Sequence, residues 1–186
     1  MRYILIMKIG YFDPFADRLS RDIRNDLAAA LSQVLEQRDI APVSEVADSY
    51  LRRNSEPVYR EYILNRLAGY RIFLNHIREG PQDTFRLALV LWDQRFFFEV
   101  HEVLEHEWLK AEGEEKRVLQ GMIRAAGVYI KLESGYREAA RKIAGRALPV
   151  LEEQREFLAR YFNPDKLYRH LKDLTLPPPC LLDSAP

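Results

Sequence analysis

The sequence predicts an all-α protein, an antiparallel bundle of about seven to eight helices with no significant sheet. Three observations lead there. Apolar residues recur at three- and four-residue intervals along most of the 186 residues, the period of a helix with one face on a core. No segment alternates apolar and polar residues over a strand's length, and no strand-turn-strand signal occurs. Capping residues, glycines and prolines punctuate the periodic segments at helix-like intervals.

The elements follow in order. MRYILIMKIG, the first ten residues, reads as an arm or short strand, since its apolar run Tyr3–Met7 is too short for a signal peptide. Residues 17–38 place Leu19, Ile23, Leu27, Ala30, Leu31, Val34 and Leu35 on one stripe. Asp39 to Pro42 interrupts that pattern. Ser44 then stands as an N-cap before a short helix carrying Val46, Tyr50 and Leu51. Ser55-Glu56-Pro57 opens a third helix, with proline in the first turn where a missing amide is harmless. Its face is Tyr59, Tyr62, Ile63, Leu67, Tyr70, Phe73, Leu74 and Ile77, and Gly80-Pro81 stops it.

Asp83 caps a fourth helix, TFRLALVLW, apolar nearly all round and therefore central. A turn near Asp93–Arg95 leads to a fifth helix, closed by Gly113 in the left-handed conformation that glycine accepts. The sixth covers roughly 114–133 and ends at Ser134-Gly135. A seventh, from about Tyr136, lines up Ala140, Ile143, Ala144, Ala147 and Leu151. Pro149 kinks it or begins an eighth helix that reaches Tyr161. A short helical turn near Asp165–Leu171 precedes LTLPPPCLLDSAP, a Pro-rich tail read as mobile. Residues 1–80 form an N-terminal extension, 81–162 a helical core and 163–186 the terminal turn and tail.

Bulk composition excludes several functions. Lys plus Arg equals Asp plus Glu, 28 against 28, so net charge draws the chain to neither nucleic acid nor an acidic membrane. The basic stretches, RRN at 52–54 and RDIRND at 21–26, are mixed-charge helix surfaces. Nothing approaches the ~20 apolar residues of a membrane span. The single Cys180 precludes an internal disulfide or a Cys-rich zinc module. These features point to a soluble, cytoplasmic protein. Alanine-rich late helices and the aromatic third helix offer surfaces for a homo-oligomer.

Chemistry concentrates in the fifth helix, FFFEVHEVLEHEW (96–108). Four glutamates and two histidines among Phe and Trp are costly to desolvate without a partner. Each helical residue advances ~100°, so Phe97, Val100, Val103, Leu104 and Trp108 form the core-facing arc. His101 and Glu105 border it between Trp108 and Phe98, as the expected buried polar pair. Glu99 and Glu107 are expected at the surface, and Glu102 and His106 share an adjacent face. The His-Glu-x-x-His zinc motif is missed by one residue, a rotation that takes His106 off the face of His101. The di-iron Glu-x-x-His spacing fails as well, because Val103 lies three residues before His106. A looser divalent-metal site remains: His101 and Glu105 as ligands, with Glu102 as proton acceptor. In the sixth helix Gly121, Ala125, Ala126 and Gly127 permit close approach, and Gln120 and Tyr129 can offer an amide and a hydroxyl. His76 and His170 read as ordinary surface histidines.

FFFEVHEVLEHEW followed by QGMIRAAGVYIKLESG resembles the bacterial family of domain of unknown function 309, sometimes labelled predicted metal-dependent hydrolase. That pattern is an aromatic-Phe-Glu-x-His-Glu-x-x-Glu-x-x-Trp helix, then Gln-Gly-hydrophobic-Ile, then Gly-Asn and an Ala-rich helix. The resemblance covers about residues 84–151 and implies a small all-helical bundle. Phe98, Glu99, His101, Glu102, Glu105, Trp108, Gln120 and Gly121 hold its signature positions. The chain departs from it at Lys131, where many relatives carry His, and at Gly135-Tyr136, where many have Gly-Asn. Two further readings stand beside the hydrolase. One is a non-enzymatic scaffold in which the His/Glu cluster is a structural network. The other is a metal-free site for a small cationic or amide ligand on Glu102, Glu105 and Gln120.

Overall fold

A computed structural model describes residues 11–54, 56–77 and 83–182. Among the described residues there are nine helices and no strand: α1 (Arg18–Gln37), α2 (Ala41–Arg53), α3 (Pro57–Ile77), α4 (Thr84–Asp93), α5 (Phe97–Trp108), α6 (Gly113–Glu133), α7 (Arg137–Glu153), α8 (Arg155–Ala159) and α9 (Pro164–Lys172). The all-α reading holds. The predicted N-terminal arm, Ser55, the Gly80-Pro81 stop and positions 183–186 of the tail lie outside the described residues. The chain divides into two compact units, Met1–Leu74 and Asn75–Pro186.

In the first unit α1 packs on α2. Ile23, Leu27, Ala30, Leu31 and Val34 are buried as the stripe predicts, while Leu19 and Leu35 lie at its half-exposed edges. Asp17 caps α1, accepting from the Ser20 amide at 2.7 Å and its hydroxyl at 2.6 Å. These bonds, led by the Ser20 hydroxyl, hold the Asp17 carboxyl below its ordinary pKa. One expectation fails in α2. The helix starts at Ala41 with Pro42 in its first turn, and Ser44 lies inside it. Proline needs no amide partner there, and the Asp39 carboxylate takes the Ala41 amide at 3.1 Å. The buried face is consequently Val43 and Ala47, and Val46, Tyr50 and Leu51 are half-exposed. Tyr50 spends its polar end on Asp26, 2.6 Å away.

The second unit is built on consecutive contacts of α4 with α5, α5 with α6 and α6 with α7, and α7 also meets α9. The intervening loops are 94–96, 109–112 and 134–136, short enough to impose antiparallel neighbours. α4 is buried at Phe85 and from Leu87 to Trp92, the central helix that its apolar circumference predicts. Trp92 meets Phe97 of α5 and Tyr129 of α6 edge-on, at centroid distances of 5.1 and 5.3 Å. Such pairs add directional attraction to area burial.

Three boundaries differ from expectation. α5 ends at Trp108, and Gly113, at φ 58°, begins α6. α7 runs through Pro149 to Glu153 before α8. The Pro-rich tail is tied down as far as Leu182. The Trp92 indole donates to the Pro179 carbonyl at 2.9 Å, and Asp93 accepts the Leu181 and Leu182 amides at 2.6 and 2.9 Å. Leu181 is fully buried. A tail without regular structure can still be fixed when its amides find a carboxylate; Cys180 remains exposed.

Candidate metal site on α5

Arg95, at φ 62°, turns the chain from α4 into α5. Phe97, Glu99 and Val100 are then all buried, so the first turn of α5 is covered on most of its circumference. The covering thins toward the other end. Leu104 is buried, Val103 and Trp108 are half-buried, and Glu102, Glu105 and His106 are exposed. This gradient corrects two expectations. Glu99, expected at the surface, is 1% exposed. Glu105, expected to be buried with His101, has a side chain 50% exposed.

His101 occupies the border between the two regimes, its side chain 29% exposed. Its Nδ1 is buried and accepts or donates no hydrogen bond. Glu102 Oε1 lies 3.3 Å from that nitrogen and Glu105 Oε2 3.9 Å from it. One donor atom from each of the three residues falls within 4.8 Å of the others. One turn of helix explains the pairing of 101 with 105. Glu102 joins them as the i,i+3 neighbour of Glu105 on the helix surface, its carboxylate turned toward the imidazole.

The donor set suits a divalent ion. Nitrogen and carboxylate oxygen bind zinc at ~2.0–2.2 Å, so ligands on one ion stand no more than ~4.4 Å apart. The two His101 separations already satisfy that limit. Any remaining adjustment falls on the exposed carboxylates, which have room to rotate. One imidazole and two carboxylates on a single face also leave coordination positions open to water.

The other sequence-picked residues have different surroundings. Phe98 is half-buried, and the Lys116 ammonium sits 4.7 Å from the centre of the Trp108 ring. Gln120 is half-buried. Gly121 faces α7: a Cβ there would stand 2.7 Å from Leu151 Cδ2. Gly127 has only ordinary contact with Ile143. Tyr129 packs its ring 4.9 Å from Phe97, and its buried hydroxyl makes no hydrogen bond. Burial pushes that phenol well above its usual pKa. The Lys131 ammonium lies 5.2 Å from the Tyr136 ring. Glu107 is half-buried, with Lys110 at 3.5 Å. The burial of Glu99 left no sign in the sequence, because His106 lies at nearly the same azimuth and is exposed.

Residues 85–143 match the family model described as Domain of unknown function (DUF309). The match includes α5, α6 and the three donor residues. Neither the curated proteins nor the solved structures provide a match to the chain. Among the described residues no helix is long and apolar enough to cross a membrane.

Proposed function

We propose that His101, Glu102 and Glu105 hold one divalent metal ion and that the protein uses it in hydrolysis. One observation carries the reading: three ligand atoms of the right kinds lie within 4.8 Å of one another on an accessible face of α5. When bound, a divalent ion there supplies Lewis acidity and lowers the pKa of a water molecule toward neutrality. His101 is the anchor, since partial burial limits its rotation. Glu105 completes the one-turn pair. Glu102 stands close enough to be the third ligand, and the geometry favours that role over a separate proton acceptor.

The scaffold alternative draws less support. A polar network that pins a helix is expected to be shielded, yet the Glu102 and Glu105 side chains are 45% and 50% exposed. On this reading the protein works in a reducing cytoplasm without nucleic acid, in keeping with one free cysteine and balanced charge.

Calorimetric titration of tag-free protein with Zn²⁺ and Mn²⁺ tests the proposal. One equivalent is expected to bind, with affinity falling at least tenfold in His101→Ala and in Glu105→Ala. Glu102→Gln separates the roles: a ligand lost weakens binding, whereas a base lost leaves the metal in place and slows turnover. Absence of saturable binding, or equal affinity in a triple-alanine variant, rejects the site.

A further inference from the structure

We propose that a cleft between α7 and α9 binds a small amphiphilic carboxylate, its apolar chain on the cleft floor and its head among Arg137, Arg141 and Lys172. The cleft has a volume of about 410 Å³, within the ~300–1,000 Å³ typical of small-molecule sites. Leu132, Leu148, Leu171 and Leu174 supply an apolar lining. Arg137 and Arg141, one turn apart on α7, face it from one side, and Lys172 reaches it from α9.

The charges favour an anion with a single charge. Arg137 makes no ion pair among the described residues. Arg141 pairs with Glu138, and Lys172 with Glu152 at 2.9 Å; both pairs are exposed, and such pairs are weak enough to exchange for a ligand. The guanidinium fork matches a planar carboxylate. Asp173, also in the wall, accepts from the Thr175 amide at 3.0 Å and its hydroxyl at 2.6 Å. Those bonds, the hydroxyl first, keep its carboxyl below the ordinary pKa. Its fixed negative charge penalises a dianion more than a monoanion.

A second observation is Gly145, in the wall of the same cleft. Glycine inside a helix costs ~1 kcal/mol relative to alanine. At Gly121 close packing explains that cost, but a Cβ at Gly145 would meet nothing within 4 Å. No neighbour requires glycine there, and a larger side chain would project into the space assigned to the ligand. That feature also supplies the test, since the cleft can be filled without a clash.

The experiment is calorimetric titration with decanoate below its micelle concentration, in chelator so that the α5 site takes no part. Saturable 1:1 binding is expected, unchanged in His101→Ala, at least tenfold weaker in Gly145→Leu and severalfold weaker in Arg137→Gln. Acetate, lacking the chain, and decylamine, of opposite charge, are expected not to bind. The proposal is overturned by failure of decanoate to saturate. It is equally overturned by wild-type affinity in a Gly145→Leu protein with native circular dichroism, or by decylamine binding as tightly.

Discussion

Glu99 and Glu105 lie six residues apart on α5, yet one is 1% exposed and the other has half its side chain in water. The helix enters the core at its first turn and leaves it by its last. Axial position therefore decides what a carboxylate does here, and azimuth comes second. At the closed end a glutamate is part of the packing, and its removal is felt as lost stability. At the open end a glutamate is held loosely enough to turn toward a ligand. His101 sits between them, buried at Nδ1 and open toward two carboxylates.

Glu99→Ala tests this contrast most severely. Truncating this fully buried side chain leaves a cavity at the closed end of the helix and is expected to cost about 3 kcal/mol, read by urea denaturation. Glu105→Ala, measured without metal, should stay within about 0.5 kcal/mol, as surface changes do. Similar losses in both would break the comparison. The two glycines repeat it on a smaller scale. Gly121→Val drives side-chain atoms into Leu151 and should destabilise by about 2 kcal/mol. Gly145→Ala, facing open space, should stabilise by up to about 1 kcal/mol. A melting temperature that falls in both variants would show that the cleft wall is as tightly filled as the seam.

Asp17, half-buried, is the intermediate case. Losing its cap in Asp17→Ala should cost about 1 kcal/mol at neutral pH. Its folded pKa lies below the ordinary 3.8, so its charge-dependent contribution is complete above that value. The contribution is lost as pH falls through the lower folded pKa. The gap between wild type and variant should hold from pH 7 to about 4.5 and narrow below 3.8. A gap that widens on acidification would contradict the assigned cap.

Much of the architecture was legible from spacing alone. The stripes of α1 and α3, the apolar circumference of α4 and the Asp83 cap, which accepts the Arg86 amide at 2.8 Å, are local properties, and local chemistry predicts them. The choice of His101, Glu102 and Glu105 also rested on spacing within one helix. Expectation and structure part where a group outside the segment itself supplies the partner, whether two residues away or nearly ninety. Ser44 looked like a cap because Asp39 was not credited with the Ala41 amide. The tail looked mobile because Asp93, some ninety positions earlier, takes its amides.

Sequence by itself determined that this chain is helical, where most helices begin and end, and that one of them carries a dense set of metal-type ligands. Those are consequences of a 3.6-residue period and of backbone chemistry at helix ends. Tertiary structure alone decided which carboxylate is covered, why Gly121 is filled and Gly145 is open, and where cations gather beside apolar wall. Burial depends on neighbours brought together from distant parts of the chain, and periodicity within one helix does not specify them.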